Sequence, residues 1–364
     1  MRSADPRRRP LFVFLVTSPF GYRGGYERFV RDEASQLTAE GFDVAMYCPP
    51  VWLVRAIYSL FGDDRFHGRG RTPELGDALR RIPLVEVTGD ALVYAKNDVL
   101  DLAIAATLLR GKHVIVGFHT ALNTPGRGHW RRLRQLLYSG RVYRWLLSGR
   151  SRWYHALDSD VASWVSGQLG SERVFTVGNS MRRIAAGAVQ RRSYDFGFLG
   201  RLTVQKGIDL FLGAVGSLPA GAVKGLRMAV AGEGEYSGLV KQCRAVEWLG
   251  YVDDPLQFLA SCKWLVVPSR WEQQPYVLIE AGAVGTPCIV PRGSPLVRHQ
   301  PDRRFQCELS IEGLRQSMLE AIAVGGDEYA AMVRRCHSTY LLGVRDQARR
   351  PTFSSVVRRL LLEG

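Results

Sequence analysis

Residues 268–283 read PSRWEQQPYVLIEAGA, in which a polar loop, residues 268–275 (the acidic loop), lies between two apolar segments. The apolar run before the loop is typical of a buried strand, and a helix is expected over 277–284. Glu272 lies in the loop, and Glu280 follows eight positions later in the apolar helix. A carboxylate buried there needs a hydroxyl or cationic partner. The pattern favours two acids that bind sugar or ribose hydroxyls, with solvated or salt-bridged glutamates as the alternative.

A second polar loop lies earlier in the chain, at residues 200–207 (the cationic loop), with the sequence GRLTVQKG. Its two cations, Arg201 and Lys206, stand five positions apart, and the loop opens onto a helix at Ile208. Both side chains can converge on one anion, to which the helix N-terminus adds partial positive charge. A diphosphate leaving group needs this arrangement, because negative charge accumulates on it as the bond to the sugar breaks. Ordinary surface cations are the alternative.

Both loops belong to an alternation of strands and helices that runs through the chain twice. In the second half, strands are expected at 196–199, 227–231, 264–267 and 287–290. In the first half, strands are expected at 11–16, 42–47, 91–94, 113–118 and 173–177. Continuous apolar strands alternating with helices predict an α/β fold with doubly wound parallel sheets.

The alternation of strands and helices begins again after a basic, glycine-containing stretch at 180–193, which is interpreted as a hinge. We therefore expect two Rossmann-like domains, residues 1–185 and residues 186–345, facing a central cleft at the carboxyl ends of their strands. The last segment, residues 346–364, is expected to form a helix that packs back on the N-terminal domain.

Composition excludes several other classes of protein. The six cysteines are scattered without a C-x-x-C pair, which argues against a zinc site or a disulfide framework and for a reducing, cytoplasmic compartment. No apolar run reaches the ~18 residues of a membrane-spanning helix. The net charge of +15 indicates either a solvated arginine-rich surface or a face toward an anionic membrane. The basic amphipathic stretch 130–150 is interpreted either as a packed helix of the first domain or as an interfacial helix that binds anionic lipid. No nucleic-acid-binding motif accompanies the charge.

The two loops together closely resemble the motifs of the retaining family 4 glycosyltransferases, which have the GT-B fold. The acidic loop matches the family's E-x7-E pattern and leads into residues 280–287, EAGAVGTP, while the cationic loop matches G-R-L-x-x-x-K-G. The resemblance implies that Glu272 contacts hydroxyls of the donor sugar and that Glu280 holds the nucleotide ribose. It also implies that Arg201 and Lys206 neutralise the diphosphate.

Smaller segments extend the resemblance. In the second domain it implies donor contacts at Gly200, Gly232, Gly234, Tyr251, Val252, Tyr276 and Val277. In the first domain, Gly24 and Gly25 match a glycine loop that faces the donor phosphates and the acceptor. His119, at the end of an apolar strand, matches a histidine beside the transferred sugar. Tight turns are the alternative interpretation of the glycines, and a buried structural role is the alternative for His119.

The sequence departs from the family directly after the first glutamate. Residues 273–276, QQPY, replace a glycine-rich step, and Pro275 has no N–H to offer a ligand. The donor sugar and the details of its binding are therefore left open. The D-x-D triplet at 158–160 is interpreted as a helix cap and not as a metal site. No metal and no cofactor are expected, because Arg201 and Lys206 already supply the positive charge.

The resemblance implies a metal-independent enzyme that moves a sugar from a nucleoside diphosphate sugar to a hydroxyl of a saccharide or lipid-linked acceptor. Residues 1–185 would bind the acceptor, and residues 186–345 the nucleotide sugar. The resemblance also implies that the anomeric configuration is retained. Since no carboxylate is placed as a covalent nucleophile, front-face attack is expected. A nucleotide-sugar epimerase of the same fold and a catalytically degenerate scaffolding member are the alternatives. The expected location is the cytoplasm, with peripheral binding to the inner membrane face if the basic surface binds lipid.

Overall fold

The computed structural model describes residues 9–16, 25–49, 79–87, 91–97, 99–107, 113–119, 145, 152–170, 172–181 and 192–363. The chain divides into two compact units. The first unit comprises Met1–Ser180 and Pro351–Gly364, and the second comprises Met181–Arg350. The hinge expected at 180–193 and the basic stretch 130–150 lie almost entirely outside the described residues.

The first unit is built on a parallel sheet whose described strands have the order β3-β2-β1-β4-β5-β6-β7. These strands are β1 (Leu11–Leu15), β2 (Asp43–Tyr47), β3 (Arg80–Arg81), β4 (Leu92–Lys96), β5 (His113–Phe118), β6 (Arg152–Ala156) and β7 (Val174–Thr176). The helices in the same part of the chain are α1 (Gly25–Ala39), α2 (Val99–Thr107) and α3 (Ser159–Leu169), with a 3₁₀ turn at Leu84–Glu86.

The second unit contains a parallel sheet of order β10-β9-β8-β11-β12-β13. Its strands are β8 (Tyr194–Leu199), β9 (Met228–Ala231), β10 (Glu247–Gly250), β11 (Cys262–Val266), β12 (Cys288–Pro291) and β13 (Gln306–Cys307). Its helices are α4 (Ile208–Ser217), α5 (Ala220–Val223), α6 (Ser237–Gln242), α7 (Pro255–Ser261), α8 (Tyr276–Ala283), α9 (Ile311–Ile322) and α10 (Gly326–Gln347). Two 3₁₀ turns lie at Pro295–His299 and Arg303–Phe305.

Strand β1 shows why the strands are apolar along their whole length. Phe12 and Phe14 belong to one buried cluster, and Val13 and Leu15 belong to another. Because side chains alternate between the faces of a strand, both faces of the sheet are covered. Strand β11 shows the same alternation in the second unit. The predicted α/β fold with doubly wound parallel sheets is confirmed.

The last helix, α11 (Phe353–Glu363), completes the core of the first unit. Phe353 is 1% exposed, and its ring centroid lies 6.1 Å from that of Phe12 and 5.6 Å from that of Phe29. Arg358 donates a 2.6 Å hydrogen bond to the carbonyl of Glu40 at the end of α1. The first hydrophobic core is therefore built from both ends of the chain.

Four of the described strands were not predicted from the sequence: the two-residue strands β3 and β13, and the longer strands β6 and β10. Strand β6 reads RWYHA, in which Arg152 and His155 interrupt the apolar pattern although both are buried. Strand β10 reads EWLG and lies at the edge of its sheet, where its side chains are half-buried or exposed. Strands β6 and β10 lack a continuous apolar pattern, because β6 contains two buried polar residues and β10 lies partly exposed at the edge of its sheet.

Gly207 joins the cationic loop to α4 in a conformation that other residues rarely adopt. Its φ is +72°, in the left-handed region. A Cβ at this position would lie 2.0 Å from the carbonyl oxygen of Pro268, which follows β11. The close approach of the cationic loop to the end of β11 therefore requires a glycine.

We predict opposite effects on stability for two alanine substitutions at the ends of α4. Gly207→Ala should destabilise the protein by at least about 1–3 kcal/mol, because it adds backbone strain and a collision with Pro268. Gly216→Ala should stabilise it by about 0.5–1 kcal/mol, because Gly216 is helical and a Cβ there meets no atom within 4 Å. Thermal unfolding of both variants checks this, and equal midpoints would contradict the loop geometry.

We predict that Phe353→Ala costs about 3–5 kcal/mol, because a buried ring is lost from the first core. Thermal unfolding measures the change. The control is Val85→Ala, which shortens an apolar side chain that is 87% exposed and should change stability by less than about 0.5 kcal/mol. A mild effect at Phe353 would show that α11 does not belong to this core.

Candidate functional site

The candidate site of the second unit lies where neighbouring parallel strands end. Strands β9, β8 and β11 are adjacent in the sheet, and each leads into a polar loop. The cationic loop follows β8, Gly232 and Gly234 follow β9, and the acidic loop follows β11. In doubly wound sheets, ligands bind outside the carboxyl ends of the strands. The topology thus brings three segments singled out in the sequence together at the carboxyl ends of β8, β9 and β11.

The two loops meet through an ion pair. Nζ of Lys206 contacts Oε1 of Glu272, and the two side chains are 20% and 11% exposed. Arg201 makes a different contact, since its Nη2 donates a 3.2 Å hydrogen bond to Oε1 of Gln205. The resemblance implies that Lys206 binds a diphosphate and that Glu272 binds a sugar. In the structure the same two groups are partners of each other.

Arg270 fastens the acidic loop to the cationic loop. Its guanidinium donates to both carboxylate oxygens of Asp209 at 2.8 and 2.6 Å, and to the carbonyl of Val204 at 2.6 Å. Its backbone N–H donates to the carbonyl of Gln205 at 2.8 Å. Burial alone would raise the pKa of the Asp209 carboxyl, but the hydrogen bonds and charge of Arg270 outweigh it and lower that pKa. The position of each loop therefore depends on the other.

Sequence reasoning missed Arg270, Asp209 and Gln205. Arg270 stands two positions before Glu272, and Asp209 lies in the first turn of α4. The available signal for this pair is that the helix dipole favours an acid such as Asp209 in the first turn, whereas Arg270 carries no local signal. Their separation in the sequence gives no indication that they contact each other.

The glycines after β8 and β9 allow backbone segments to touch. Gly232 has φ +130°, and a Cβ there would lie 2.0 Å from the carbonyl oxygen of Gly200. A Cβ at Gly234 would lie 2.5 Å from the carbonyl oxygen of Leu202. The N–H of Gly232 donates a 2.6 Å hydrogen bond to the carbonyl of Gly250, at the end of β10. These close approaches within the fold explain the glycines, and their contact with a donor stays a prediction.

The remaining predicted donor contacts fall on β10 and α8. Tyr251 follows β10 and is 46% exposed, and Val252 packs against the cluster that contains Ala229 and Ala231. Tyr276 and Val277 form the start of α8, where the first N–H groups of a helix have no partner inside it.

Glu280 is buried in α8, with 6% of its surface exposed. Pro275 precedes this helix in an extended conformation, with φ −73°. Residues 273–276, which replace the family's glycine-rich segment, thus lead directly into the first turn of α8. The roles of Tyr276, Val277 and Glu280 toward a nucleotide stay predictions.

Two polar groups of the acidic loop are buried without a hydrogen bond. Ser269 is 2% exposed and Gln273 is 7% exposed. Within the described ranges, neither Oγ of Ser269 nor Oε1 of Gln273 has a hydrogen-bond partner. Buried polar atoms are normally satisfied, so these two atoms leave hydrogen-bonding capacity beside Glu272.

In the first unit, Gly25 is the first residue of α1, and Gly24 lies outside the described residues. His119 directly follows β5 and is half-buried. Its Nε2 lies 2.6 Å from Oη of Tyr94, and its ring centroid lies 4.5 Å from that of Phe29. Burial lowers the pKa of His119 well below its usual value, and the neighbouring His155 and Lys96 lower it further. His119 is therefore neutral at pH 7.

The D-x-D triplet caps a helix, as its place before an apolar helical segment predicted. Asp158 precedes α3, and its Oδ1 accepts a 2.9 Å hydrogen bond from the N–H of Val161. No group of three or more His, Cys, Asp or Glu side chains in the described part of the chain is arranged to hold a metal ion. The six cysteines are free thiols. Among the described helices, none has the length and apolar character needed to cross a bilayer.

Comparison with protein families gives a match in the second unit. Residues 193–323 match the family model described as Glycosyl transferases group 1. The matched segment contains both loops of the candidate site. No curated protein matches the chain significantly by sequence.

Solved structures share the fold of the whole chain. A mutant of TarM from S. aureus, in complex with fondaparinux, alpha-GlcNAc-glycerol and UDP, is 9% identical, with a TM-score of 0.63 and coverage of 97% of this chain and 99% of TarM. HepE from Anabaena, in complex with UDP-glucose, is 15% identical, with a TM-score of 0.65 and coverage of 93% of this chain and 98% of HepE. A sucrose-phosphate synthase from Thermosynechococcus elongatus is 15% identical, with a TM-score of 0.68 and coverage of 98% and 100%.

At these identities the likeness establishes the fold. Both sheets are parallel, both are flanked by helices, and the similarity extends over nearly the full length of each solved chain. The chain therefore has the GT-B fold, and its residues 193–323 are similar to the Glycosyl transferases group 1 family.

Proposed function

We propose that this chain moves a sugar from a nucleoside diphosphate sugar to a hydroxyl group of a saccharide or lipid-linked acceptor. The observation that carries the proposal is the meeting of the cationic and acidic loops, with Lys206 against Glu272 at the carboxyl ends of β8 and β11. One end of such a donor is anionic and the other carries hydroxyls. A cation and a carboxylate side by side are complementary to that molecule.

Donor binding exchanges the partners of these groups. Lys206 transfers its hydrogen bonds from Glu272 to the diphosphate, and Glu272 then accepts hydrogen bonds from sugar hydroxyls. Arg201 contacts only the neutral amide of Gln205 among the described residues, so its charge is available to a phosphate. Cations placed where charge develops on the leaving diphosphate stabilise the transition state more than the ground state.

The nucleoside is held by the other predicted residues. Glu280, buried in α8, accepts hydrogen bonds from the ribose hydroxyls, and the backbone at Tyr251 and Val252 contacts the base. Gly200, Gly232 and Gly234 bring backbone close to the phosphates. The first N–H groups of α8, at Tyr276 and Val277, add partial positive charge.

The transfer proceeds with retention and without a metal ion in this proposal. Glu272 is engaged by Lys206 and then by sugar hydroxyls, so it is not the covalent nucleophile. The acceptor hydroxyl attacks the anomeric carbon from the face that the diphosphate leaves, and the leaving phosphate oxygen takes the proton. Arg201 and Lys206 provide the charge that a divalent cation provides in other transferases. We also propose an acceptor at the inner face of a membrane, to whose anionic lipids the net charge of +15 would be attracted.

A thermal-shift panel of UDP-, GDP-, TDP- and ADP-sugars tests donor binding. UDP-sugars are the first candidates, because the TarM structure contains UDP and the HepE structure contains UDP-glucose. A ligand at 100 times its Kd stabilises the folded protein by about 2.7 kcal/mol. The expected stabilisation persists in EDTA. No stabilisation by any nucleotide sugar would overturn the proposal, product from donor alone would indicate an epimerase, and binding without turnover would indicate a scaffolding member.

We predict that Lys206→Ala lowers kcat/KM roughly 10²- to 10³-fold, because the leaving diphosphate loses a cation. Initial rates with the donor found by the thermal-shift panel measure the effect. The control is Lys263→Ala, which breaks the 2.8 Å ion pair with Asp195 at the amino ends of β11 and β8, and which should leave the rate within twofold. Unchanged activity of Lys206→Ala would remove the central assignment.

We predict that Arg270→Lys weakens donor binding, because lysine cannot form the two-point contact with Asp209 that holds the cationic loop. A double-mutant cycle with Asp209→Asn should give a coupling free energy of about 1 kcal/mol in thermal unfolding, a value reduced by the partial exposure of both side chains. Lys263→Ala again serves as the control for loss of an ion pair. Independent, additive effects would show that the pair does not connect the loops.

A further inference from the structure

Three side chains of the first unit form a continuous hydrogen-bonded chain. Oη of Tyr94, on β4, lies 2.7 Å from Nδ1 of His155, on β6. The same oxygen lies 2.6 Å from Nε2 of His119, which follows β5. Nε2 of His155 lies 2.7 Å from the carbonyl oxygen of Val177. The hydrogen-bonded chain thus runs from the carbonyl of Val177 through His155 and Tyr94 to His119.

The hydrogen-bonded chain of side chains crosses β5 at a glycine. Gly117 on β5 pairs in register with Lys96 on β4 and with His155 on β6. A Cβ at Gly117 would lie 1.8 Å from Oη of Tyr94. Tyr94 therefore reaches across its neighbouring strand only because that strand has glycine at the crossing. The sequence of the sheet is adapted to this contact.

The position of the proton on His155 follows from its partners. A carbonyl oxygen only accepts hydrogen bonds, so Nε2 of His155 carries a proton and donates to Val177. Burial lowers the pKa of His155 to about 4, although its bond to the carbonyl opposes the shift. The ring is neutral at pH 7, and its Nδ1 is an acceptor. The hydroxyl of Tyr94 must then donate to Nδ1 of His155.

The tautomer of His119 follows in turn. A tyrosine hydroxyl has one hydrogen, which Tyr94 has given to His155, so its oxygen accepts from Nε2–H of His119. Since His119 is neutral, its Nδ1 carries a lone pair. Within the described part of the chain, this Nδ1 has no hydrogen-bond partner. The side chain stays half-buried at the carboxyl end of β5.

We propose that Tyr94 and His155 are positioning residues that hold His119 as its Nε2–H tautomer, so that Nδ1 accepts a hydrogen bond from a hydroxyl group of a bound sugar. The ligand in this inference rests on the proposed function, whereas the tautomer rests on the hydrogen-bonded chain alone. A lone pair repels a phosphate oxygen and attracts a hydroxyl hydrogen. The hydroxyl belongs either to the donor sugar or to the acceptor, and binding measurements separate the two sources.

The tautomer is measured on the full-length protein labelled with ¹⁵N-histidine, by long-range ¹H–¹⁵N correlation at pH 7.5. Signals of His119 are identified by their loss in His119→Gln. We expect a pyridine-type Nδ1 and a pyrrole-type Nε2 for His119. In Tyr94→Phe, which keeps the ring, these signals should move toward the average of both tautomers, while signals of His337 in the second unit stay unchanged. A pyrrole-type Nδ1 in the wild type, or unchanged signals in Tyr94→Phe, would overturn the inference.

Binding shows which hydroxyl is involved. Tyr94→Phe should raise either the donor Kd or the acceptor KM by about 3- to 10-fold, the effect of one hydrogen bond. A change in donor Kd assigns the hydroxyl to the donor sugar, and a change in acceptor KM alone assigns it to the acceptor. The matched control is Tyr47→Phe, the same chemical change on β2 of the same sheet, which should alter neither.

The two levels of the inference fail separately. Unchanged donor Kd and acceptor KM in Tyr94→Phe would overturn the proposed sugar contact of His119. If the wild-type protein binds no nucleotide sugar, the proposed function fails instead, and the NMR signals still decide the tautomer.

Discussion

A Cβ atom at position 207 would lie only 2.0 Å from the carbonyl oxygen of Pro268, which leaves no room for a side chain there. Because the chain has glycine there, the cationic loop lies directly on the end of β11. Arg270 can then reach Asp209, and Lys206 can reach Glu272 across 66 positions of sequence. The absence of one side chain decides whether charged groups from distant segments meet. These contacts form where the backbones of the two loops pack closely against each other.

The two units satisfy their buried polar groups in different ways. In the second unit, opposite charges pair with each other, and a donor that brings both an anion and hydroxyls would replace those partners without leaving a charge unpaired. In the first unit, burial keeps His119 and His155 neutral, and a tyrosine hydroxyl connects them. Paired charges thus lie at the carboxyl ends of β8 and β11, and neutral imidazole rings lie on β6 and at the end of β5.

The features that could be predicted from the sequence are those whose residues lie within one short segment. The alternation of strands and helices and the spacing of Arg201, Lys206, Glu272 and Glu280 are local patterns, so they could be recognised without coordinates. The contact of Arg270 with Asp209 joins positions 61 apart, as does that of Tyr94 with His155. Each of these residues alone looks ordinary, and only the fold brings the partners together. Strand β6 was missed for the same reason, since the partners of its polar His155 come from β4 and from Val177.

The place of α11 in the first unit has a consequence for biosynthesis. Phe12 and Phe353, near opposite ends of the 364-residue chain, pack in one cluster. At a translation rate of about 5–20 residues per second, the N-terminal sheet waits tens of seconds for the helix that covers it. During that time the second unit has emerged from the ribosome and can already be folded, so the domain made first is completed last. Until then the aromatic face of the nascent sheet stays exposed, and exposed apolar surface of this kind is prone to aggregation.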